Sequence, residues 1–432
     1  MDKQKRTFLV SIITLLVLMI LTYVLTITLD CEGISFLKFI GSPILVLGSS
    51  SSVTIISIIV FLIIIGGVIE GLNKCGFLEY MINKIVSLYG NKRYKLMAIL
   101  VLFFMLMGSL VGSFEEVVPL VPIVVALSID IGFDALTGVG MSLLAVGCGF
   151  AAGVANPFTV GVAQGLAGLP MFSGISLRAI SFVLIYVLLM IFLVSHAKKV
   201  EKDIDLVDRK FSKELNKEKA LKAFASIIGA GLAIVLLSPF LTFLQDYTMI
   251  IIALMFLIAG LVAIKLSGMN NKELVKNFLT GSLNISPSVL LILMASAIRF
   301  IMEESGVLDT ILNIVSSSAG SMNKIQLILF MYLICLVINF FIPSGSAKAF
   351  LLMPLLIPLA NKFGISSQLC ILAYAYGDGF SNVLYPTNPA LLISLGLIDM
   401  GYAKWFKYSW KFQLLNLLLT SSILILGLFI NY

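Results

Sequence analysis

A pattern of helix-breaking residues occurs twice in this chain of 432 residues, at one fixed spacing. The segment 147–157, GCGFAAGVANP, aligns without a gap with the segment 379–389, GFSNVLYPTNP, 232 residues later. The same shift relates two further pairs of breakers, Pro122 with Pro354 and Gly132 with Gly364. Breakers at matching points of two apolar halves indicate an internal duplication, and in membrane proteins they mark interrupted helices around a site at the middle of the bilayer.

The composition predicts a polytopic membrane protein. Apolar residues make up 60% of the chain, charged residues 12%, and the mean hydropathy is +1.10, far outside the range of soluble proteins. The apolar run up to Leu29 is long enough to span a bilayer and lacks a small-residue cleavage site, so we interpret it as the first membrane helix. Five scattered cysteines and a single histidine, His196, give no metal-binding spacing, and we expect no cofactor.

Basic residues give the orientation, because short loops rich in Lys and Arg stay on the cytoplasmic side. Most of the 29 Lys and Arg residues fall in five groups, one of them Lys265, Lys272 and Lys276 around the loop between two predicted spans. One topology places all five groups and the N-terminus inside, whereas Arg178 would face out. The predicted spans lie near 8–29, 53–72, 135–168, 176–195, 222–240, 248–266, 283–302, 367–398 and 410–431. Cytoplasmic loops that face anionic lipid account for the net charge of +7, so binding to nucleic acid is not needed to explain it. We expect a protein of the cytoplasmic (inner) membrane of a bacterium.

Two apolar stretches, 96–130 and 325–361, begin and end on the same side of this topology, so each is predicted to be a re-entrant hairpin. Non-helical backbone at that depth requires protein or a water-lined cavity to satisfy its polar groups. The halves begin on opposite sides and are therefore inverted repeats. The predicted all-α fold has a first repeat (1–195) with hairpin 96–130 and broken helix 135–168, a cytoplasmic linker (196–221), and a second repeat (222–432) with hairpin 325–361 and broken helix 367–398. Amphipathic segments at 77–90 and 306–318 predict interfacial helices.

Polar residues concentrate at the predicted hairpin tips, GSFEEVVP and IPSGSAKAF. Carboxylates and ammonium groups inside a membrane are costly and indicate function. A structural ion pair or a tip that reaches water would also explain the carboxylates, and close packing would also explain serine and glycine. The candidate substrate-binding residues are Ser113, Glu115 and Glu116 in the first tip and Ser344, Gly345, Ser346 and Lys348 in the second.

The two predicted helix breaks supply a second set of candidates. A proline inside a membrane helix frees a carbonyl one turn earlier, which suits Na⁺, and a half-helix N-terminus offers amide donors to a carboxylate. The candidates are Asn156 beside Pro157, and Asp378, Ser381, Asn382, Thr387 and Asn388 before Pro389. Sodium as a coupling ion is predicted near Gly112, Asn156, Ser344 and Asn388.

These motifs resemble a known family. GSFEEVVPLVPIVVALSIDIGFDALTGVG, VANPF, IPSGSAKAFLLMP and YGDGFSNVLYPTNP look like the YfcC-like branch of the anaerobic C4-dicarboxylate carrier (DcuC-like) family, in the superfamily that includes aminobenzoyl-glutamate transporters and divalent-anion/sodium symporters. The resemblance covers roughly residues 53–430. It implies a scaffold and a transport domain of two opposed hairpins and two broken helices, usually in a homodimer with an elevator mechanism. It maps the hairpin tips onto Gly112–Glu116 and Ser344–Lys348, and the unwound points onto Asn156–Pro157 and Asn388–Pro389. Neither tip has the Ser-Asn-Thr of the citrate-succinate type.

The charges of the candidates favour a substrate that carries an amine. Three acidic candidates against one lysine would repel a dianion in a partly dry site. We hypothesise that Lys348, the hairpin serines and the helix ends bind a carboxylate, while Glu115 or Glu116 and Asp378 bind an amine, a proton or Na⁺. An amino acid, a small peptide and a C4-dicarboxylate remain open as substrates, as do Na⁺ or H⁺ as coupling ion and uptake or exchange as mode.

Other classes fit the sequence less well. A channel needs a continuous polar lining, whereas these polar residues form two symmetric clusters. The chain has no GxxxxGK[ST] nucleotide motif and no HExxH or GxSxG motif. A Ser344–Lys348 dyad would suggest a membrane hydrolase, but the repeat already accounts for both residues. The sequence therefore predicts a secondary transporter of a small carboxylate-bearing metabolite, and not an enzyme.

Overall fold

The computed structural model describes residues 3–29, 31–49, 52–89, 92–112, 114–170, 173–202, 214–237, 248–307, 310 and 322–432, among which there is no strand. The α-helices described in the first half are α1 (Lys3–Thr28), α2 (Phe36–Leu45), α3 (Ser52–Lys74), α4 (Phe77–Tyr89), α5 (Arg93–Leu106), α6 (Val121–Asp130), α7 (Ala135–Val139), α8 (Ala145–Ala152), α9 (Val162–Leu166) and α10 (Ile175–Val200). Those of the second half are α11 (Leu215–Leu237), α12 (Thr248–Leu266), α13 (Asn271–Ile285), α14 (Pro287–Glu304), α15 (Lys324–Phe341), α16 (Gly345–Lys362), α17 (Ser367–Asn382), α18 (Pro389–Leu397) and α19 (Tyr402–Phe429).

Seven helical stretches in the described part of the chain are long and apolar enough to cross a bilayer. They are Ile55–Lys74, Arg93–Leu110, Ala135–Ala152, Ile175–Val200, Asn271–Glu304, Lys324–Phe341 and Tyr402–Phe429. An apolar helix satisfies its own backbone hydrogen bonds and so can lie in lipid. The prediction of an all-α, multi-pass membrane protein is confirmed.

Helix α13 differs most from the predicted topology, because the lysine-rich segment after α12 predicts a loop between two spans. The Asn270 side chain caps this helix by accepting from the Glu273 backbone N–H at 2.8 Å. The other face of α13 packs closely on α3, where a Cβ added at Gly66 would lie 2.9 Å from the Gly281 carbonyl oxygen. The prediction of a loop here is wrong, because the segment is an amphipathic helix.

The predicted linker 196–221 is helical at both described ends, because α10 continues to Val200 and α11 begins at Leu215. Residues 203–213 lie outside the described part. The amphipathic segment 77–90 forms α4, as predicted. Most of the second such segment, 306–318, lies outside the described residues.

Each predicted hairpin is a pair of helical arms around a break. In the first, α5 continues as a π-helix to Val111, Gly112 takes a left-handed backbone with φ 69°, and a 3₁₀ helix (Glu115–Leu120) leads into α6. In the second, α15 ends at Phe341 and α16 begins at Gly345. The two breaks coincide with the predicted tips.

Each predicted broken helix is interrupted at its Asn-Pro pair. The first runs through α7, a π-helix and α8 to Ala152, turns at Gly153 with φ 51°, and resumes as a π-helix (Pro157–Gly161) and α9. The second is α17, which ends at Asn382, followed by α18 from Pro389. Proline cannot donate a backbone hydrogen bond but suits the first turn of a helix, so each half-helix restarts at its proline.

The two broken helices cross where the duplicated sequence carries glycine. A Cβ added at Gly379 of α17 would overlap the backbone nitrogen and Cα of Ala151 in α8. A Cβ added at Gly147 would lie 2.5 Å from Val383 Cγ1. The repeat therefore places one glycine on each side of a close backbone crossing, which fixes the two breaks relative to each other.

We expect Gly379→Ala to lower the free energy of unfolding by about 1–3 kcal/mol, because the new methyl group meets backbone that cannot move aside. Gly165→Ala is the matched control, since a Cβ there meets nothing within 4 Å. Thermal unfolding in detergent should show a lower midpoint for Gly379→Ala and no loss for Gly165→Ala. Equal midpoints would mean that the crossing is looser than described.

The return arm of each hairpin packs against the half-helix beyond the break of the other repeat. The start of α16 lies against the Pro157–Gly161 segment and α9. The Glu115–Leu120 segment lies against α18. This exchange between the halves brings both tips and both breaks into one region, as the duplication predicts.

The hydrophobic packing surrounds this region. The main core joins residues of the hairpins, the broken helices, α10 and α19. A smaller core joins α3, α4, α11 and α12. Large apolar side chains remain exposed along α1, α10 and α19, as lipid-facing helices require.

Candidate functional site

A buried ion pair joins the second hairpin to the second broken helix. Lys348 Nζ of α16 lies 2.6 Å from Asp378 Oδ1 of α17, and both side chains are 0% exposed. Removing two charges from water is costly unless they are paired and hydrogen-bonded. The sequence singled out both residues but assigned them to different parts of a ligand, whereas the structure pairs them with each other.

Asn339 of α15 organises the pair. Its Oδ1 accepts from Lys348 Nζ, and its Nδ2 donates to the Asp378 carbonyl at 3.0 Å and to Ser381 Oγ at 2.6 Å. Asn382, a predicted site residue, joins the same network because its Oδ1 lies 3.1 Å from Asn339 Nδ2. Sequence reasoning missed Asn339, although an isolated amide in the apolar run YLICLVINFF is a visible signal.

Gly345 lies at a close contact between the two repeats. A Cβ added at Gly345 would overlap Thr159 Cγ2 and would lie 2.6 Å from Asp378 Oδ2. The Thr159 hydroxyl and Asp378 Oδ2 are both buried and have no hydrogen-bond partner among the described residues. Buried polar atoms are nearly always satisfied. Thr159 and Asp378 therefore each carry a buried polar atom that still lacks a partner, beside the hairpin tip at Gly345.

The two Asn-Pro motifs cap their own half-helices. Asn388 Oδ1 accepts from the backbone N–H groups of Ala390 at 2.9 Å and Leu391 at 3.3 Å. Asn156 Oδ1 accepts from the Thr159 N–H at 3.2 Å. The sequence suggested that both helix ends present amide donors to a carboxylate, but the side chain before each proline takes part of that capacity.

The N-terminus of α16 is different, because Ser344 at its N-cap makes no capping hydrogen bond. Ser344, Gly345 and Ser346 are half-buried at the hairpin tip. A helix N-terminus of this kind favours an anion through its amides and dipole. Unlike the two half-helix ends that the sequence predicts to bind a carboxylate, this helix end has no side-chain cap.

The first hairpin tip supports the first break. The Ser109 carbonyl accepts from the Ala155 N–H at 3.1 Å, and Ser109 Oγ accepts from the Val154 N–H at 3.0 Å. Gly112 lies directly against the Asn156 side chain, which a Cβ would overlap. The tip thus satisfies backbone groups that the break exposes.

The remaining predicted residues are placed as follows. Ser113 lies outside the described residues, as do the side chains of Glu115 and Glu116, whose backbone forms the 3₁₀ helix against α18. Thr387 is buried, and its hydroxyl has no partner in the described part of the chain. The structure brings the second tip, at Gly345, against Thr159 just beyond the first break and Asp378 just before the second.

Arg178 is a second residue that the sequence analysis missed. The topology placed it on the outer side, but its side chain is buried and donates to the carbonyls of Ser173 at 2.8 Å and Val154 at 3.4 Å. Val154 belongs to the first break. A buried guanidinium on backbone carbonyls stabilises that break and adds positive charge beside it.

Comparisons with known proteins agree with the motifs. A family model described as C4-dicarboxylate anaerobic carrier (DcuC) matches residues 8–429. A protein of Escherichia coli provisionally called a basic amino acid antiporter, YfcC, is 31% identical over 401 residues, which cover 87% of this chain and 78% of the relative. An uncharacterized protein of Haemophilus influenzae is 27% identical over 371 residues, 82% of this chain and 72% of the relative.

Among solved structures, the YdaH transporter of Alcanivorax borkumensis aligns over 99% of both chains with 18% identity and a TM-score of 0.47. The family match spans nearly the whole chain and confirms the resemblance carried by the hairpin and break motifs. The chain belongs to the C4-dicarboxylate anaerobic carrier (DcuC) family of membrane transporters.

Proposed function

We propose that this protein is a secondary transporter for small carboxylates that also carry an amine, and that basic amino acids are its first candidates. The proposal rests on which charges near Gly345 are already paired and which are not. Lys348 is already neutralised by Asp378, so it is not a free cation for a dianion. Asp378 keeps a second, buried oxygen without a donor among the described residues.

The two ends of an amino acid match two parts of this region. The substrate ammonium group would lie at Asp378 Oδ2 and the Thr159 hydroxyl once the hairpin tip moves away, because Gly345 itself packs against both residues here. The carboxylate would lie at the uncapped N-terminus of α16, with the Ser344 and Ser346 hydroxyls. Glu115 or Glu116, for which the sequence predicts binding of an amine, a proton or Na⁺, would bind the second amine of a basic substrate. The provisional name of the Escherichia coli relative supports this substrate class.

We propose exchange as the mode of transport, with Na⁺ or H⁺ coupling as the alternative. Sodium would bind near Gly112, Asn156, Ser344 and Asn388, through carbonyls that the breaks leave exposed. The helix–break–helix arms would be re-entrant hairpins that move with the broken helices in an elevator mechanism. A homodimer in the cytoplasmic membrane, with the N-terminus inside, completes the proposal.

Transport of C4-dicarboxylates is the second candidate, because the family model carries that description. A dicarboxylate would need a cation to balance its second charge. Arg178 beside the first break is the buried cation that favours this candidate. Uptake assays in proteoliposomes loaded with a basic amino acid or with succinate separate the two substrate classes directly.

Thr159→Val tests the position of the amine. We expect the KM for a basic amino acid to rise roughly tenfold, because a hydrogen bond to a charged group contributes about 1.5 kcal/mol or more. The midpoint of thermal unfolding should not fall, since the variant removes a buried hydroxyl that has no partner among the described residues. Exchange of labelled arginine into loaded proteoliposomes measures the KM.

Ser394→Ala is the matched control, because it removes a buried hydroxyl of the same kind from α18. Its KM should equal that of the wild type. A Thr159→Val protein with an unchanged KM would place the amine elsewhere. Uptake of succinate with no uptake of any amino acid would replace the proposal with the dicarboxylate candidate.

A further inference from the structure

Lys348 reaches Asp378 from a hairpin tip. It lies four residues beyond Ser344, whose carbonyl accepts its backbone N–H at 3.0 Å, so it belongs to the first turn of α16. Its ammonium group is fully buried against Asp378 and Asn339. The positive charge is therefore covalently attached to the hairpin and sits directly on the carboxylate of the broken helix.

A buried carboxylate needs a positive charge whenever its surroundings are dry. A carrier that takes this charge from solution has to bind a cation before the site closes. Here the hairpin supplies it, so Asp378 is compensated with or without a dissolved ion. The same contact leaves Asp378 Oδ2 against Gly345, with no hydrogen-bond partner among the described residues.

The pair is present in one half of the duplication. The shift of 232 residues places Glu116 on Lys348, Val146 on Asp378 and Met107 on Asn339. A contact that served only to hold a hairpin on a broken helix would be equally useful in both halves. The first half instead carries an acidic residue where the second carries lysine, and an apolar one where the second carries aspartate. The asymmetry points to a role specific to the second hairpin.

We propose that Lys348 is a tethered counter-cation, which occupies the place that a dissolved cation would otherwise take beside Asp378. The consequence for transport rests on the proposed function: no Na⁺ is needed at the Asp378 carboxylate. It predicts that removal of the lysine side chain leaves a vacancy for a small soluble cation. Any Na⁺ site near the breaks is separate from Asp378.

The test compares purified wild-type protein with Lys348→Ala in choline chloride and in ethylammonium chloride at equal ionic strength. In choline chloride we expect a lower unfolding midpoint for Lys348→Ala than for the wild type. Ethylammonium should recover most of this loss in a saturable manner, because it replaces the deleted ammonium group. The wild-type midpoint should be the same in choline and ethylammonium.

Lys348→Ala/Asp378→Asn is the matched control, since without the carboxylate ethylammonium should have no effect. A Lys348→Ala protein as stable as the wild type in choline chloride, or one that ethylammonium does not recover, would overturn the proposal. If Lys348→Ala does not fold, the double variant decides. If the double variant folds in choline chloride, the single variant failed because the Asp378 carboxylate requires a cation, which supports the proposal. If the double variant also fails to fold, the packing of the lysine side chain matters and not its charge, and the proposal is overturned. No substrate is involved, so a negative result here is distinct from a failure of the proposed substrate class.

Discussion

Lys348→Met should destabilise the protein by about 3–5 kcal/mol, because it leaves the Asp378 carboxylate buried without its partner. The double variant Lys348→Met/Asp378→Asn should recover most of this loss, since it removes both charges and keeps similar volumes. The coupling between the two sites is then the difference between the double variant and the sum of the singles. Denaturant or thermal unfolding of purified protein in detergent measures each term.

An exposed ion pair provides the control for this comparison. Lys38 and Glu304 lie 3.2 Å apart, but their side chains are 57% and 43% exposed. Lys38→Met should therefore cause little change, because exposed pairs contribute little to stability. If Lys348→Met were no more harmful than Lys38→Met, Asp378 would not be a charged group in a dry environment, and the description of the site would be wrong.

Gly345→Ala should reduce transport about 10- to 100-fold, as overpacking of about 1–3 kcal/mol where the hairpin tip closes on Thr159 and Asp378 implies. The new methyl group would overlap Thr159 Cγ2 and lie 2.6 Å from Asp378 Oδ2, so it would hold the hairpin tip away from the two residues where we place the substrate amine. Helix α16 should still form, because Gly345 has helical backbone and alanine favours a helix, but the overlap with Thr159 should lower the unfolding midpoint. Initial rates of amino acid exchange in proteoliposomes, normalised to folded protein, measure the effect.

A second substitution makes this prediction specific. Thr159→Ser removes the methyl group that the alanine would meet but keeps the hydroxyl, so Gly345→Ala/Thr159→Ser should regain part of the activity. Gly165→Ala, in open space, should transport like the wild type. Full activity of Gly345→Ala would mean that the substrate does not pass this point.

The breaks and tips could be predicted from sequence because their causes are local. Proline and glycine act on the backbone within a few residues, and the duplication displays each break twice. The capping by Asn156 and Asn388 is equally local, and the Asn-Pro order predicts it when the asparagine is considered as an N-cap. We instead expected the backbone N–H groups that Asn156 and Asn388 cap to bind a ligand.

The contacts between helices could not be predicted in the same way. Whether Lys348 meets Asp378 depends on the rotation of α16 and α17 about their axes, which no local pattern determines. Asn339 lies on a third helix and was missed for that reason. Arg178 was assigned by charge counting, which gives a side of the membrane but not burial. The site thus depends on tertiary contacts between elements that the sequence predicts one by one.

The most direct test of the account is calorimetric titration of purified protein with L-arginine and with succinate, for the wild type, Gly345→Ala and Gly165→Ala. We predict saturable binding of arginine to the wild type and Gly165→Ala, a marked loss in Gly345→Ala, and no comparable binding of succinate. Binding of succinate without arginine, or equal binding of arginine to all three proteins, would contradict an amine-binding site at Gly345.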